Sequence, residues 1–192
     1  VVREPRARVH SRAMRRHAAA VAVVLGLALL VAPVARAAPP SADAVLDAAA
    51  KAARAGKRNV LVVFHASWCG WCRKLEAVLA APKAKEVLDR HYATAELTVL
   101  ERGEKEALEN AGAEELLASI AGKDAGLPFT AVLERRSRRA LASSNLSGPG
   151  TNVGFPAKAD ELDHFVSMLR RGAPRMTDAE AAEVRAAFPA PR

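Results

Sequence analysis

The two cysteines of the chain, Cys69 and Cys72, are separated by two residues. Two cysteines at this spacing can close a small disulfide and reopen it, which is the chemistry of thiol-disulfide exchange. The run from Val60 to Phe64 is apolar and predicts a strand covered on both faces. A helix is predicted to follow, so the Cys69 sulfur should lie exposed at a helix N-terminus, where free N–H groups and the helix dipole favour a thiolate.

A single inert disulfide is the alternative interpretation of this pair. A loop of two residues between the cysteines constrains the unfolded chain little, so a bond placed there for stability alone would contribute little. Both sulfurs are therefore interpreted as reactive groups.

Helices and strands are predicted to alternate along the chain, which indicates an α/β fold with a mixed central sheet flanked by helices. The predicted elements are a helix capped by Ser41 and stopped by Gly56, the strand 60–64, a helix from Cys69 interrupted at Pro82, a helix 83–91, a strand 92–100, a helix 104–121, a hairpin of strands 129–134 and 140–144, and a helix 160–171.

Two short segments resemble landmarks of the thioredoxin superfamily. The first is Trp68-Cys69-Gly70-Trp71-Cys72 after an apolar strand, and the second is Gly126-Leu127-Pro128-Phe129-Thr130, which is similar to that family's loop with a cis proline facing the dithiol. The resemblance covers about residues 41–172. It implies a thioredoxin-like fold and the activity of a protein-disulfide oxidoreductase.

The resemblance also implies roles for individual residues. Cys69 corresponds to the attacking thiolate and Cys72 to the resolving thiol, with Trp68 as an apolar wall beside them. Pro128 would shape a substrate groove, and the Leu127 backbone would pair with an extended substrate segment.

The dipeptide between the cysteines, Gly70-Trp71, differs from that of thioredoxin and of the strongly oxidising relatives, and it does not by itself separate a reductant from an oxidant. A reductase or isomerase type of activity is the expectation. Trp71 is expected to be exposed and to contact substrate, and Trp68 to be the more buried of the two tryptophans. The expected partners are protein thiols or disulfides and an unidentified redox partner, and neither an organic cofactor nor a metal is required.

One position departs from the family pattern. Val63 stands where thioredoxins proper carry a buried carboxylate, so the usual proton acceptor for Cys72 is missing.

Two other functional classes remain open. His65, Cys69 and Cys72 together could bind copper or zinc in a metal carrier, although His91 and His164 have no ligand spacing. A peptide-binding module without redox activity could use the groove beside Pro128, but the intact cysteine pair argues against it.

The N-terminal residues have the pattern of a secretory leader. Met14-Arg15-Arg16-His17 is a basic head, 18–32 is apolar, and Ala35-Arg36-Ala37 resembles a cleavage site. This predicts a signal peptide at 14–37, a start assigned too early at 1–13, and a periplasmic or secreted protein. Membrane contact is expected only if the leader is retained.

The formal charge of +8 is concentrated in this leader. Residues 1–37 hold seven arginines and one glutamate, so the rest of the chain carries only +2. No basic patch therefore indicates a nucleic-acid partner.

The remaining chain is divided into a thioredoxin-like domain, 38–172, and a C-terminal appendage, 173–192. The appendage contains the capping-box pattern Thr177-Asp178-Ala179-Glu180, which predicts a short docked helix. A long loop at 145–156 either borders the groove or is mobile, and mobility is the favoured interpretation.

Overall fold

The strand that leads to the cysteine pair lies inside a four-stranded sheet. In the computed structural model, which describes residues 37–190, β1 (Asn59–His65) is parallel to β2 (Tyr92–Thr98) and antiparallel to β3 (Phe129–Leu133). β4 (Ala140–Ser143) is antiparallel to β3, so the strand order is β2-β1-β3-β4. The expected mixed sheet and the predicted hairpin are both confirmed.

Helices cover both faces of this sheet. They are α1 (Ala42–Ala55), α2 (Gly70–Leu79), α3 (Pro82–His91), α4 (Ala113–Ala121), α5 (Ala159–Gly172) and α6 (Asp178–Ala186). α1 and α4 pack on one face, and α2, α3, α5 and α6 pack on the other. Successive residues of β1 point to opposite faces of the sheet, and each face forms a hydrophobic core with the helices that cover it. This explains why the strand has no polar residue in its centre.

Local signals in the sequence explain where several helices begin and end. The Ser41 hydroxyl accepts the N–H of Ala44 at 3.2 Å and caps α1, and Gly56 follows the last residue of that helix. Pro82 occupies the first turn of α3, where its missing N–H leaves no helical hydrogen bond unmade. The chain therefore forms two helices, α2 and α3, on either side of this position.

The prediction of one helix over 104–121 is wrong. The chain forms a 3₁₀ helix, Gly103–Leu108, and then α4. Between them, the buried side chain of Asn110 accepts the N–H of Thr98 at 2.7 Å and donates to the Pro40 carbonyl at 2.8 Å. This amide ties the segment to β2 and to the start of α1, so the helix is interrupted there.

β2 is also shorter than predicted, since it ends at Thr98 instead of Leu100. Leu100 has a φ of 54°, in the left-handed region, and a strand cannot continue through that conformation.

The C-terminal segment packs against the core that α5 covers. Thr177 and Glu180 form the predicted capping box of α6, and Val184 and Phe188 are buried. Glu180 Oε2 also lies 3.1 Å from His91 Nε2 on α3. The N–H of Thr177, followed by the hydrogen bond from His91, lowers the pKa of Glu180 to about 2.

The predicted leader lies outside the described residues, apart from Ala37. Within residues 37–190, none of the helices combines the length and apolar character needed to cross a bilayer.

Candidate active site

Cys69 is the N-cap residue of α2, and its sulfur is bonded to that of Cys72. The backbone N–H of Cys72 points at the Cys69 sulfur, with 3.1 Å between N and Sγ. The first N–H groups of a helix have no partner within the helix, so this amide is available to the sulfur. After reduction of the disulfide, the same N–H and the helix dipole would stabilise a Cys69 thiolate.

The expectation that the thiols are exposed is wrong. Cys69 is 3% exposed and Cys72 is 1% exposed. Ala66 packs against the pair from the preceding turn, and Leu127 covers it from the other landmark segment. The sulfurs are therefore less accessible than expected, while Cys69 lies at the start of α2 as predicted.

The segment before β3 lies against the disulfide. The Leu127–Pro128 peptide bond is cis, and Pro128 is buried. The Leu127 side chain packs on the cysteine pair, while its backbone N–H and C=O make no hydrogen bond to any other residue of 37–190. The fold thus brings the two landmark segments together, and the unpaired backbone N–H and C=O of Leu127 lie next to the cysteine pair.

Neither tryptophan belongs to the core. Trp68 is 42% exposed and Trp71 is 47% exposed, so Trp68 is the more buried of the two by a small margin, as expected, and the expectation of an exposed Trp71 is confirmed. Trp68 donates its indole N–H to the Leu100 carbonyl at 2.6 Å. Trp71 stacks on Phe155, with 5.5 Å between ring centroids.

Glu101, which is not among the expected site residues, holds the turn before Cys69. This carboxylate is 7% exposed and accepts the N–H of Ser67 at 2.6 Å and its hydroxyl at 2.8 Å. Arg73 donates to the Ser67 carbonyl at 2.9 Å. One signal was present in the sequence: Glu101 follows β2, and the carboxyl ends of the parallel strands β1 and β2 lie at the same edge of the sheet.

The loop at 145–156 borders the site, which was the less favoured of its two interpretations. Asn152 donates from Nδ2 to the carbonyls of Gly126 at 2.6 Å and Pro128 at 3.0 Å. Phe155 continues the aromatic contact from Trp71 to Phe188, with 5.8 Å between the ring centroids of the two phenylalanines. Sequence patterns gave no sign of these contacts because they join residues distant along the chain.

Comparison with known proteins supports the resemblance. Residues 42–134 match the sequence model of a family described as thioredoxin-like. Over these residues the chain is thioredoxin-like. With its oxidised Cys69–Cys72 pair, this thioredoxin-like protein is classed as a protein thiol-disulfide oxidoreductase.

Solved structures of this superfamily are similar to the chain at low identity. A disulphide isomerase from Xylella fastidiosa Temecula1 is 20% identical over 54% of this chain and 72% of that chain, with a TM-score of 0.43. A DsbH oxidoreductase is 21% identical over 72% and 90%, with a TM-score of 0.43. A thioredoxin from Thermus thermophilus is 19% identical over 69% and 83%, with a TM-score of 0.41. No curated protein sequence matches the chain.

Val63, at the position where the sequence departs from the family pattern, is buried. Val63 is 2% exposed and packs in one core with Leu75 and Val78 of α2.

His65 does not support a metal site with the two cysteines. Its Nδ1 lies 3.0 Å from Glu76 Oε1, and its Nε2 lies 3.3 Å from Thr98 Oγ1. Among residues 37–190, no three side chains of His, Cys, Asp or Glu are grouped so that they could hold a metal ion.

Replacing Asn152 by aspartate is expected to destabilise the thioredoxin-like protein by about 1–3 kcal/mol, because two carbonyls lose their donor and face a carboxylate instead. The rate of disulfide exchange should fall with it, since Gly126 and Pro128 flank the residue that covers the disulfide. Urea unfolding and an insulin reduction assay measure the two effects. The matched control is Ser147→Ala, an exposed position in the same loop. Equal losses in both variants would contradict a specific role for the Asn152 amide.

Proposed function

We propose that this protein exchanges disulfides with protein substrates outside the cytosol, through Cys69 and Cys72, as a reductase or isomerase. One observation carries the proposal: the Cys69 sulfur caps α2 and accepts the Cys72 N–H while the two sulfurs share a bond. The two sulfurs are therefore at bonding distance, and the first has a donor that favours its anionic form.

The reaction begins from the reduced pair. The Cys69 thiolate attacks one sulfur of a substrate disulfide, so a bond from Cys69 to substrate forms and the other substrate sulfur leaves as a thiolate. Cys72 then loses its proton and attacks the Cys69 sulfur, which releases the second substrate thiolate and restores the Cys69–Cys72 disulfide. The substrate gains two electrons and the protein loses two; oxidation of a substrate dithiol runs these steps backwards.

The surrounding residues bind the substrate in this proposal. The unpaired backbone groups of Leu127 take the main chain of an extended segment, and Pro128 shapes the groove beneath it. Trp68 and Trp71 provide the apolar walls. Gly70 lies exposed between them, and a side chain there would meet only the end of Arg73 within 4 Å.

A location outside the cytosol is supported by the leader pattern at 14–37 and by the cysteine count. Disulfides persist outside the cytosol, so a protein there with only these two cysteines has both available for exchange. The dipeptide Gly70-Trp71 differs from that of thioredoxin and from that of the strongly oxidising relatives, so the reduction potential decides the direction of exchange.

The reduction potential of the pair, measured at equilibrium with glutathione, tests the direction. A value between about −270 mV, the potential of thioredoxin, and about −180 mV, that of protein disulfide isomerase, is expected. A value near −120 mV, that of a strong oxidant, would contradict the proposal and indicate a disulfide donor. The variant with both Cys69→Ser and Cys72→Ser is the control for exchange that does not involve this pair.

A further inference from the structure

The exposed apolar surface of the molecule is concentrated beside the disulfide. Among residues 37–190, the large apolar side chains classed as exposed are Trp68, Trp71 and Leu146. Two of these three adjoin a cysteine in the sequence. Exposed aromatic side chains at a reactive centre indicate a surface that a partner covers.

Each of these indoles carries a positive charge over its ring. The Lys74 ammonium lies 3.9 Å from the ring centroid of Trp71, and the Arg102 guanidinium carbon lies 4.2 Å from that of Trp68. Both distances are within the range of cation–π attraction, so the rings hold the two charges in place. Neither cation forms an ion pair with a carboxylate of the described residues.

The carboxylates of this region other than Glu104 have partners among neighbouring residues. Glu76 pairs with His65, and Glu101 accepts two hydrogen bonds from Ser67. Glu106 accepts the N–H of Gly103, which leaves Glu104 as an exposed carboxylate of the 3₁₀ helix.

Two further cations are directed to the turn before Cys69. Arg73 donates to the Ser67 carbonyl at 2.9 Å, and Lys105 donates to the Ser67 hydroxyl at 3.1 Å. With Lys74 and Arg102, four cations lie on the segments that flank the two cysteines. Exposed cations without an ion pair, such as Lys74 and Arg102, attract acidic partners and accelerate their encounter, most strongly at low salt.

We propose that the cationic rim, which we define as Trp68, Trp71, Lys74 and Arg102, selects protein segments with acidic side chains next to the reacting cystine. This inference rests on the proposed function and names the substrate class of the same site. The carboxylate of an acidic substrate residue pairs with one of the two cations, and its methylene groups contact the exposed edge of the neighbouring indole. The apolar and the charged parts of the rim then act on one substrate residue.

Three synthetic peptides test this selection. Each contains one cystine, and they differ only in having Glu, Gln or Lys on both sides of each half-cystine. The second-order rate constant for their reduction by the reduced protein is measured at about 20 mM and about 500 mM salt. At the lower salt the Glu peptide is expected to react about tenfold faster than the Lys peptide, and at the higher salt the ratio should shrink to about twofold.

Variants assign the effect to the rim. Combining Lys74→Gln with Arg102→Gln should reduce the Glu-to-Lys rate ratio at low salt to about twofold. The matched control is Lys51→Gln, an exposed lysine of α1 without an ion pair in the described residues, which should keep the wild-type ratio. An equal fall in the ratio for the control variant would assign it to net charge and overturn the proposal.

A neutral small disulfide, 2,2′-dipyridyl disulfide, separates this inference from the proposed function. If the wild-type protein reduces it but reduces the three peptides at equal rates at low salt, the charge selection is wrong and the dithiol chemistry stands. If the reduced protein reacts with neither the small disulfide nor the peptides, the proposed function itself fails.

Discussion

Replacing Cys69 by serine is expected to reduce disulfide exchange to the rate seen without protein, whereas Cys72→Ser should stop the reaction after its first half. Only the Cys69 sulfur caps α2 and accepts a backbone N–H, so it is the sulfur favoured as a thiolate. In Cys72→Ser the substrate stays attached, because no second sulfur is present to release it. Mass spectrometry of the alkylated mixture with insulin should show a stable mixed disulfide on Cys69.

The two serine variants control for each other. Each variant lacks one of the two sulfurs of the same disulfide, and both sites are nearly inaccessible to solvent. If Cys69→Ser accumulated the mixed disulfide and Cys72→Ser did not, the assignment of attacking and resolving sulfurs would be reversed. If neither variant captured a substrate, exchange through this pair would be refuted.

Gly172→Ala is expected to destabilise the protein by about 1–3 kcal/mol, or more if the neighbours cannot shift. A Cβ at this position would lie 2.3 Å from Val132 Cγ1 and 2.9 Å from the Tyr92 hydroxyl oxygen. Both neighbours are buried, and the Tyr92 hydroxyl donates to the Leu169 carbonyl; burial raises the pKa of this phenol. Helix propensity alone predicts the opposite sign, since alanine is favoured over glycine by up to about 1 kcal/mol. Chemical denaturation therefore decides between packing and propensity.

Gly126→Ala is the matched control for this experiment. A Cβ on Gly126 would meet no atom within 4 Å, so its unfolding free energy should stay within about 0.5 kcal/mol of the wild-type value. If Gly172→Ala were as stable as the control, the close approach of α5 to β2 and β3 would be contradicted.

Much of the architecture could be predicted because the signals are local. The apolar run of β1 can be satisfied only by burial on both faces, and Pro82 separates α2 from α3 through its own ring. The capping box at Thr177 and Glu180 likewise involves residues three positions apart. In the site, the cysteine spacing and the following helix were sufficient to place Cys69 at a helix N-terminus.

The parts that were missed depend on contacts between distant segments. Asn110 interrupts a predicted helix through bonds to Thr98 and Pro40, and Asn152 ties a loop to the carbonyls of Gly126 and Pro128. Glu101 holds a turn that lies 34 residues earlier in the chain. Hydrophobic periodicity carries no information on such side-chain to backbone bonds.

The depth of the sulfurs limits the shape of what can react with them. Thiol attack requires approach along the line of the bond being broken, and Cys69 offers only 3% of its surface. A cystine inside a rigid globular protein cannot reach a recessed sulfur, but one on a protruding loop or an unfolded chain can. We therefore expect cystines on protruding loops or unfolded chains to react faster with this protein than cystines buried within folded proteins.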